Sequence, residues 1–164
     1  RVAGNPGLDA GDTGTLTLAA SGVAVGFRVI DAAADGLRLA LETAQDYVTT
    51  RKQFGRPIGE FQALQFRLAD MATELEAARL MVLRGAWAID TDHPEKTKWC
   101  AMAKRLATDA CFQIADEALQ LHGGYGYLKD YPLERIVRDL RVHRILEGTN
   151  EIMRVIVARE MARG

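Results

Sequence analysis

The segment 59–90, GEFQALQFRLADMATELEAARLMVLRGAWAID, has the most regular hydrophobic pattern in the sequence. Apolar and small residues recur in it at alternating steps of three and four over about four heptads, the spacing of a helix that packs along one side. These positions are Phe61, Leu64, Leu68, Met71, Leu75, Ala78, Val82, Gly85 and Ile89. The pattern predicts a long helix in a bundle, ended by the sequence Asp90-Thr-Asp-His-Pro94.

Helical patterns also occupy the sequence on both sides of this segment. Upstream, apolar residues recur at helical spacing from Val23 onward, so we predict one helix over 15–50. It should end near Gly55-Arg56-Pro57, because proline disfavours helix in the residue before it. Downstream, a stripe of small residues predicts a third helix over 95–121 that a neighbour can approach closely. We predict no β-strand in the chain.

Two shorter helices complete the prediction. One covers 132–143, with proline in its first turn, and one covers 150–162, with Thr149 as its N-cap. The predicted fold is therefore all-α, an antiparallel (up-down-up-down) helical bundle of three long and two short helices over 15–164. Residues 1–14 are glycine-rich without a period, so we expect a linker or a disordered N-terminal remnant there.

Composition excludes several classes of function. The 164 residues are 48% hydrophobic and 26% charged, which is typical of one globular domain, and the net charge of -1 gives no reason to expect nucleic acid as a partner. The longest uncharged apolar run, Leu16 to Phe27, falls well short of the roughly 20 residues that span a bilayer. The three histidines lack ligand spacing, so we predict no metal site.

The two cysteines bear on the cellular compartment. Cys100 and Cys111 fall on one predicted helix and would lie about 16 Å apart, too far for a disulfide. Unpaired thiols suit a reducing compartment, which we take to be a bacterial cytoplasm or, in a eukaryote, the mitochondrial matrix. The chain starts at Arg1 rather than Met, which suggests a piece of a longer protein.

The stretch 120–152 is where we expect chemistry. Two glycine-rich turns in it, His122-Gly-Gly-Tyr-Gly126 and Glu147-Gly-Thr149, flank a short arginine-rich helix. Glu147 is the candidate general base, since a carboxylate beside a glycine and a helix start can be tuned by its surroundings. Taken alone, this pattern more often describes a glutamate that favours the helix dipole, and the first turn more often describes a tight structural turn.

Five motifs that occur together in one order favour the functional interpretation of these turns over the structural one. They are Arg51-Lys-Gln-Phe-Gly-Arg-Pro-Ile58, Leu68-Ala-Asp-Met71, Gln120-Leu-His-Gly-Gly-Tyr-Gly-Tyr127, Arg138-Asp-Leu-Arg141 and Ile145-Leu-Glu-Gly-Thr149. The ordered set resembles the acyl-CoA dehydrogenases, and over about residues 20–162 the chain is similar to their C-terminal helical domain. It looks most like the isobutyryl-CoA and related short branched-chain members of that family.

The resemblance implies a tetrameric flavoprotein with three domains that acts in fatty acid or branched-chain amino acid breakdown. FAD would be its cofactor, an acyl-CoA thioester its substrate and an electron-transfer flavoprotein its partner. Glu147 would remove the α-proton of the thioester as the β-hydrogen leaves as hydride, with Gly148 also on the substrate side. The positions that match the family's FAD contacts are Arg51, Phe54, Gln120, Gly123, Gly124, Thr149 and Glu151, with Gln120 to Gly124 reaching the FAD of a neighbouring subunit.

The sequence also departs from the family pattern. Glu151 replaces a glutamine that is common there, and Gly26 stands where the family has a substrate-side arginine, with Arg28 out of register. Two other interpretations are therefore kept. The chain could be a non-catalytic assembly subunit or fragment that supplies part of the FAD and tetramer interface, or it could belong to a related acyl-CoA oxidase.

Overall fold

The computed structural model describes the backbone of residues 15–18 and 23–163 and the side chains from Arg38 to Arg163. The described helices are α1 (Phe27–Thr50), α2 (Gln62–Asp90), α3 (Lys96–His122), α4 (Leu133–His143) and α5 (Asn150–Arg163). The described strands are β1 (Thr15–Leu18), β2 (Val23–Gly26), β3 (Lys52–Gln53) and β4 (Arg56–Pro57). The predicted all-α bundle of three long and two short helices is confirmed, whereas the predicted linker over 1–14 lies outside the described residues.

The prediction for the first helix was wrong at its start, and so was the expectation of no strands. Helix α1 begins at Phe27, and β1 pairs antiparallel with β2, with Thr15 opposite Gly26 and Leu18 opposite Val23. Thr15-Leu-Thr-Leu18 alternates polar and apolar residues, and β2 contains two valines, both of which favour strand over helix. The helical period was extended too far upstream, through residues whose local preference is extended.

The segment after α1 was predicted only as the end of a helix, but the structure has a hairpin there. Strands β3 and β4 form a small antiparallel hairpin in which Gln53 is opposite Arg56. The two residues between them, Phe54 and Gly55, have φ of 54° and 82°. Two consecutive positive φ angles are typical of the tight type I′ hairpin loop, whose twist matches that of the strands. The hairpin therefore turns the chain between α1 and α2.

Helix α3 is the centre of the bundle. It packs against each of the other four helices, and its small residues do allow close approach. A Cβ added to Gly85 of α2 would lie 3.4 Å from the Cβ of Ala103. A larger core cluster joins α1, α2, α3 and α4, and a smaller one, Ala101, Met153 and Ile156, fixes α5 to α3. The helices that carry or adjoin the predicted site residues therefore share one packing partner, α3.

Candidate functional site

The predicted site residues fall into two separate groups, and the first lines a groove beside the C-terminal ends of α1 and α3. The groove has a volume of about 490 Å³ and includes four of the predicted residues, Arg51, Gln120, Gly123 and Gly124. Gln120 and both glycines are exposed to solvent. We refer to this feature as the groove.

Glycines give the groove its shape. Gly123 ends α3 with φ of 58°, a left-handed conformation that glycine adopts without strain, and the chain then continues as a short 3-10 helix over Gly123–Tyr127. That segment folds back closely, because a Cβ on Gly126 would lie only 2.7 Å from the backbone oxygen of Leu119. By contrast, a Cβ on Gly124 would have nothing within 4 Å, so this position leaves open space for a ligand.

A buried histidine lies under the groove. The His122 ring stacks on Tyr47 with centroids 4.0 Å apart, and its Nδ1 is 2.8 Å from the backbone oxygen of Ala118. Burial lowers the pKa of His122, an effect that the contact with Ala118 opposes. The neutral ring that donates from Nδ1 presents Nε2 as an acceptor, and Nε2 is buried with no hydrogen-bond partner among the described residues.

The positive charge of the groove comes from Arg51. Its guanidinium lies over the ring of Tyr125, 5.2 Å from the centroid. Phe54, the other family match in this part of the chain, does not line the groove. It is 92% exposed at the tip of the β3–β4 hairpin, where its ring makes an edge contact with Phe61. The structure therefore brings Arg51 together with Gln120 and the glycines, and leaves Phe54 outside.

The second group lies in the turn between α4 and α5, which we call the Glu147 turn (residues 145–149). Glu147 has φ of 53°, followed by Gly148 with φ of 91°. The left-handed region is uncommon for a residue with a side chain. The backbone N–H of Asn150 donates to the oxygen of Arg144 at 3.0 Å and closes the turn. Glu147 is exposed, so its carboxylate is accessible to solvent.

Thr149 and Glu151 begin helix α5. The Thr149 hydroxyl accepts a hydrogen bond from the backbone N–H of Ile152 at 3.4 Å, as predicted for an N-cap. The pKa of Glu151 is lowered, first by its own backbone N–H and then by the Thr149 hydroxyl. Both side chains point to the start of α5, and Glu151 is exposed there.

The side chain that supports the Glu147 turn was missed at the sequence level. Lys104 of α3 is 1% exposed, and its Nζ donates to the Gly148 oxygen and to Asn150 Oδ1, both at 2.8 Å. Burial lowers the pKa of Lys104 to about 8, although the carboxylates of Asp109, Glu147 and Glu151 act in the opposite direction. A lysine is rarely this buried unless it is paired. The signal in the sequence was a lysine within the small-residue stripe of α3.

Asp109 completes the support from the same helix. Its carboxylate accepts from Asn150 Nδ2 at 2.9 Å and pairs with Arg144 at 2.8 Å and Arg154 at 3.5 Å. These three partners lie before and after the Glu147 turn. Together, Lys104 and Asp109 hold both ends of the turn against α3.

The groove and the Glu147 turn do not meet within one copy of the chain. The turn is held near Lys104, whereas the groove is formed beside His122 at the C-terminal end of α3. Eighteen residues of helix separate these positions, about 27 Å along the axis. Reacting groups must come within about 3.5 Å of each other, so the two groups cannot act on the same atoms from one copy.

Other potential sites provide less evidence of a function. No group of three or more His, Cys, Asp and Glu side chains among the described residues could hold a metal ion. Cys100 and Cys111 are buried free thiols, and burial raises the pKa of both, so they are held as unreactive thiols. Within the part of the chain that the structure describes, no helix is both long and apolar enough to cross a membrane.

Comparison with known proteins identifies the fold. A family model described as the C-terminal domain of acyl-CoA dehydrogenases matches residues 27–162. The chain belongs to the acyl-CoA dehydrogenase family. Mitochondrial isobutyryl-CoA dehydrogenase of Dictyostelium discoideum is 52% identical over 128 residues, which cover 78% of this chain and 31% of that protein. The Bos taurus isobutyryl-CoA dehydrogenase is 53% identical over 118 residues, covering 72% of this chain and 28% of that protein.

Other known proteins match over a similar part of their length. Subunit CarC of the caffeyl-CoA reductase–Etf complex of Acetobacterium woodii is 46% identical over 73% of this chain and 31% of that protein. The acyl-CoA dehydrogenase of Geobacillus kaustophilus superposes with a TM-score of 0.77 at 39% identity, over 81% of this chain and 35% of that one. A solved FAD complex of PigA gives 0.78 at 34% identity, over 82% and 35%. The chain thus spans about a third of the length of these relatives, and the predicted resemblance is confirmed.

Proposed function

We propose that the chain forms the C-terminal domain of an FAD-dependent acyl-CoA dehydrogenase that acts on short or branched-chain acyl-CoA thioesters. The Glu147 carboxylate is the base that removes the proton from the α-carbon. The observation that carries this proposal is the Glu147 turn, in which a non-glycine residue is held in the left-handed region by a buried polar support. Strain of this kind persists where the surroundings over-determine it, and it concentrates at functional sites.

The residues of the groove fit FAD. Gly124 leaves open space where a Cβ would project, and the buried acceptor His122 Nε2 lacks a partner among the described side chains. Arg51 supplies a cation suited to a phosphate oxygen. Gln120, Gly123 and Gly124 would hold the cofactor with exposed backbone and amide groups, and Phe54 would contact it from the hairpin tip. When bound, FAD accepts the β-hydrogen as a hydride.

The Glu147 turn would then work on the substrate side. The backbone N–H groups of Glu147 and Gly148 bind the thioester carbonyl, which makes the α-proton more acidic, and the carboxylate takes that proton. Thr149 and Glu151 would lie beside the flavin ring at the start of α5. Lys104, which holds the Glu147 turn, and His122, which lies under the groove, are about 27 Å apart along α3. We therefore propose that one FAD site combines the turn of one copy with the groove of a neighbouring copy in a homodimer or homotetramer.

The comparisons favour further properties of the intact protein. The match to subunit CarC of an Etf complex supports an electron-transfer flavoprotein as the electron acceptor. Two matched relatives are mitochondrial, which supports the matrix as the compartment of a eukaryotic protein, with the cytoplasm as its bacterial counterpart. We expect no turnover from residues 1–164 alone, because they carry only parts of each site.

The separation of the two groups also favours a second candidate, a non-catalytic assembly subunit or fragment that supplies only the groove and oligomer contacts. Changing Glu147 to Gln in the intact, FAD-loaded protein distinguishes the two. We expect isobutyryl-CoA to bleach the wild-type flavin under anaerobic conditions and E147Q to slow that bleaching by about 10³-fold or more, since the base is lost. Anaerobic stopped-flow absorbance of the flavin measures both rates.

The control is E74Q, which removes an exposed carboxylate on α2. It should bleach at the wild-type rate. A wild-type rate in E147Q would rule out Glu147 as the base, and a wild-type flavin that no acyl-CoA bleaches would support the assembly subunit. Rapid reoxidation of the reduced flavin by oxygen would instead assign the protein as an acyl-CoA oxidase.

A further inference from the structure

The Glu147 turn contains two successive residues with positive φ, Glu147 at 53° and Gly148 at 91°. Glycine tolerates this region, but a residue with a Cβ does so only at a cost. The conformation of Glu147 therefore depends on contacts that hold the peptide after Gly148 in place. The orientation of its carboxylate depends on the same contacts.

The contact that fixes this peptide comes from α3. Lys104 Nζ donates to the oxygen of Gly148 at 2.8 Å and to Asn150 Oδ1 at the same distance. Asn150 in turn donates to Thr108 Oγ1 at 3.0 Å and to Asp109 Oδ1 at 2.9 Å. Asn150 and Thr108 are 1% and 0% exposed, so water does not compete for these hydrogen bonds.

The carboxylates that act on Lys104 lie on three parts of the chain. Asp109 lies on α3 itself, Glu147 in the turn and Glu151 on α5. Burial lowers the pKa of His143 on α4, and Lys104 lowers it further against the opposing effect of Asp139. Lys104 is thus a buried cation facing three carboxylates, one of which is Glu147.

We infer that Lys104 is a positioning residue for Glu147, an inference that rests on the proposed function. Its ammonium group holds the Gly148 carbonyl against α3, and so holds Glu147 in the left-handed conformation that presents its carboxylate to the substrate. Lys104 itself does not touch the substrate.

The test compares K104M, K104R and E147Q in the intact, FAD-loaded protein, with K96M as the control. Lys96 is in the first turn of the same helix and pairs with Asp92 at the surface. We expect K104M to lower the rate of flavin reduction at saturating isobutyryl-CoA by about 10²-fold, the effect of a misplaced reacting group. The substrate concentration for half-maximal rate should change by less than about threefold, and K104R should recover part of the loss.

Two further measurements separate positioning from a general loss of structure. FAD content and the thermal midpoint are measured for each variant, and reduction is repeated with substrate deuterated at the α-carbon. We expect a larger isotope effect in K104M and K104R than in wild type, because proton removal becomes slower relative to other steps. If K104M does not fold, K104R decides the question by the same rate and isotope effect.

The outcomes for the two proposals are distinct. A folded, FAD-loaded K104M or K104R that reduces its flavin at the wild-type rate, alongside an inactive E147Q, would overturn the role of Lys104 and leave Glu147 as the base. A fully active E147Q would overturn the proposed function itself. An equal loss in K96M would also overturn the inference, because the effect would not be specific to the Glu147 turn.

Discussion

The protonation of the buried Lys104 should be visible in the stability of the fold. Burial lowers its pKa to about 8 in the folded protein, from an ordinary value of 10.5. Between these values the unfolded chain binds the proton and the folded chain does not, so the free energy of unfolding rises with pH. The cost of the buried charge, about 3 kcal/mol below pH 8, is therefore relieved as pH increases from 8 to 10.5.

This pH dependence can be measured by comparing wild type with K104M. We expect the unfolding free energy of wild type to increase relative to K104M between pH 7.5 and 10, by about 2 kcal/mol in denaturant titrations. K96M, on the surface of the same helix, should show the wild-type trend. A difference between wild type and K104M that stays constant over this range would mean that Lys104 is not held as a buried cation.

The sequence allowed prediction of some site residues but not of others, for a physical reason. Glu147, Thr149 and the glycines are recognisable because turns and helix starts require particular residue types next to one another. Lys104 was not recognisable in this way, since its partners Gly148 and Asn150 are 44 and 46 positions away. Such long-range contacts depend on how α5 packs against α3, which a local pattern does not contain.

At the scale of elements, the 3-10 segment after α3 offers a matched pair of glycines. A Cβ on Gly126 would lie 2.7 Å from the backbone oxygen of Leu119, whereas a Cβ on Gly124 would meet nothing within 4 Å. We expect G126A to lower the unfolding free energy by about 1–3 kcal/mol, the usual cost of overpacking. G124A should keep wild-type stability but lose FAD affinity, because its methyl group occupies space in the groove.

Thermal unfolding and the flavin content of the purified protein test this pair. Loss of stability in G124A without loss of FAD would contradict the assignment of the groove to the cofactor. Wild-type stability in G126A would show that the 3-10 segment can move away from α3, and that Gly126 does not set the shape of the groove.

Helices were predicted better than strands because of the lengths of these elements. The predicted helices 59–90, 95–121, 132–143 and 150–162 agree with α2 to α5 within a few residues, because several turns of periodic pattern outweigh local exceptions. The four-residue strands β1 and β2 are too short to establish a period of their own. The β3–β4 hairpin depends on positive φ at Phe54. Phenylalanine rarely adopts positive φ, so its presence in the sequence does not predict this conformation.

At the scale of the whole molecule, α3 separates the two sets of predicted site residues, the groove and the Glu147 turn. Its C-terminal end forms one wall of the groove, and its middle carries Lys104 and Asp109 under the Glu147 turn. The packing of the bundle could be predicted from the sequence, but this separation could not, because it requires the relative positions of α1, α3 and α5. If both groups serve the same FAD, a site must draw on two copies of the chain.

Two inactive variants should therefore restore activity when they share an oligomer. E147Q lacks the base but keeps an intact groove, whereas R51M keeps the base and weakens the groove. In a hybrid, the Glu147 turn of the R51M copy meets the groove of the E147Q copy, and that site has both parts. With random pairing in a twofold-symmetric oligomer, about a quarter of all sites should be intact.

Co-expression of the two variants with different affinity tags, followed by purification through both tags, isolates the hybrids. Flavin reduction by isobutyryl-CoA in these hybrids should exceed that of either variant alone, and mixing the two purified proteins without subunit exchange should give no gain. Hybrids that carry both tags yet reduce no flavin would show that each site takes its groove and its Glu147 turn from the same copy. The distance of about 27 Å along α3 argues against that arrangement, because no bending of a packed central helix could bring the two groups together.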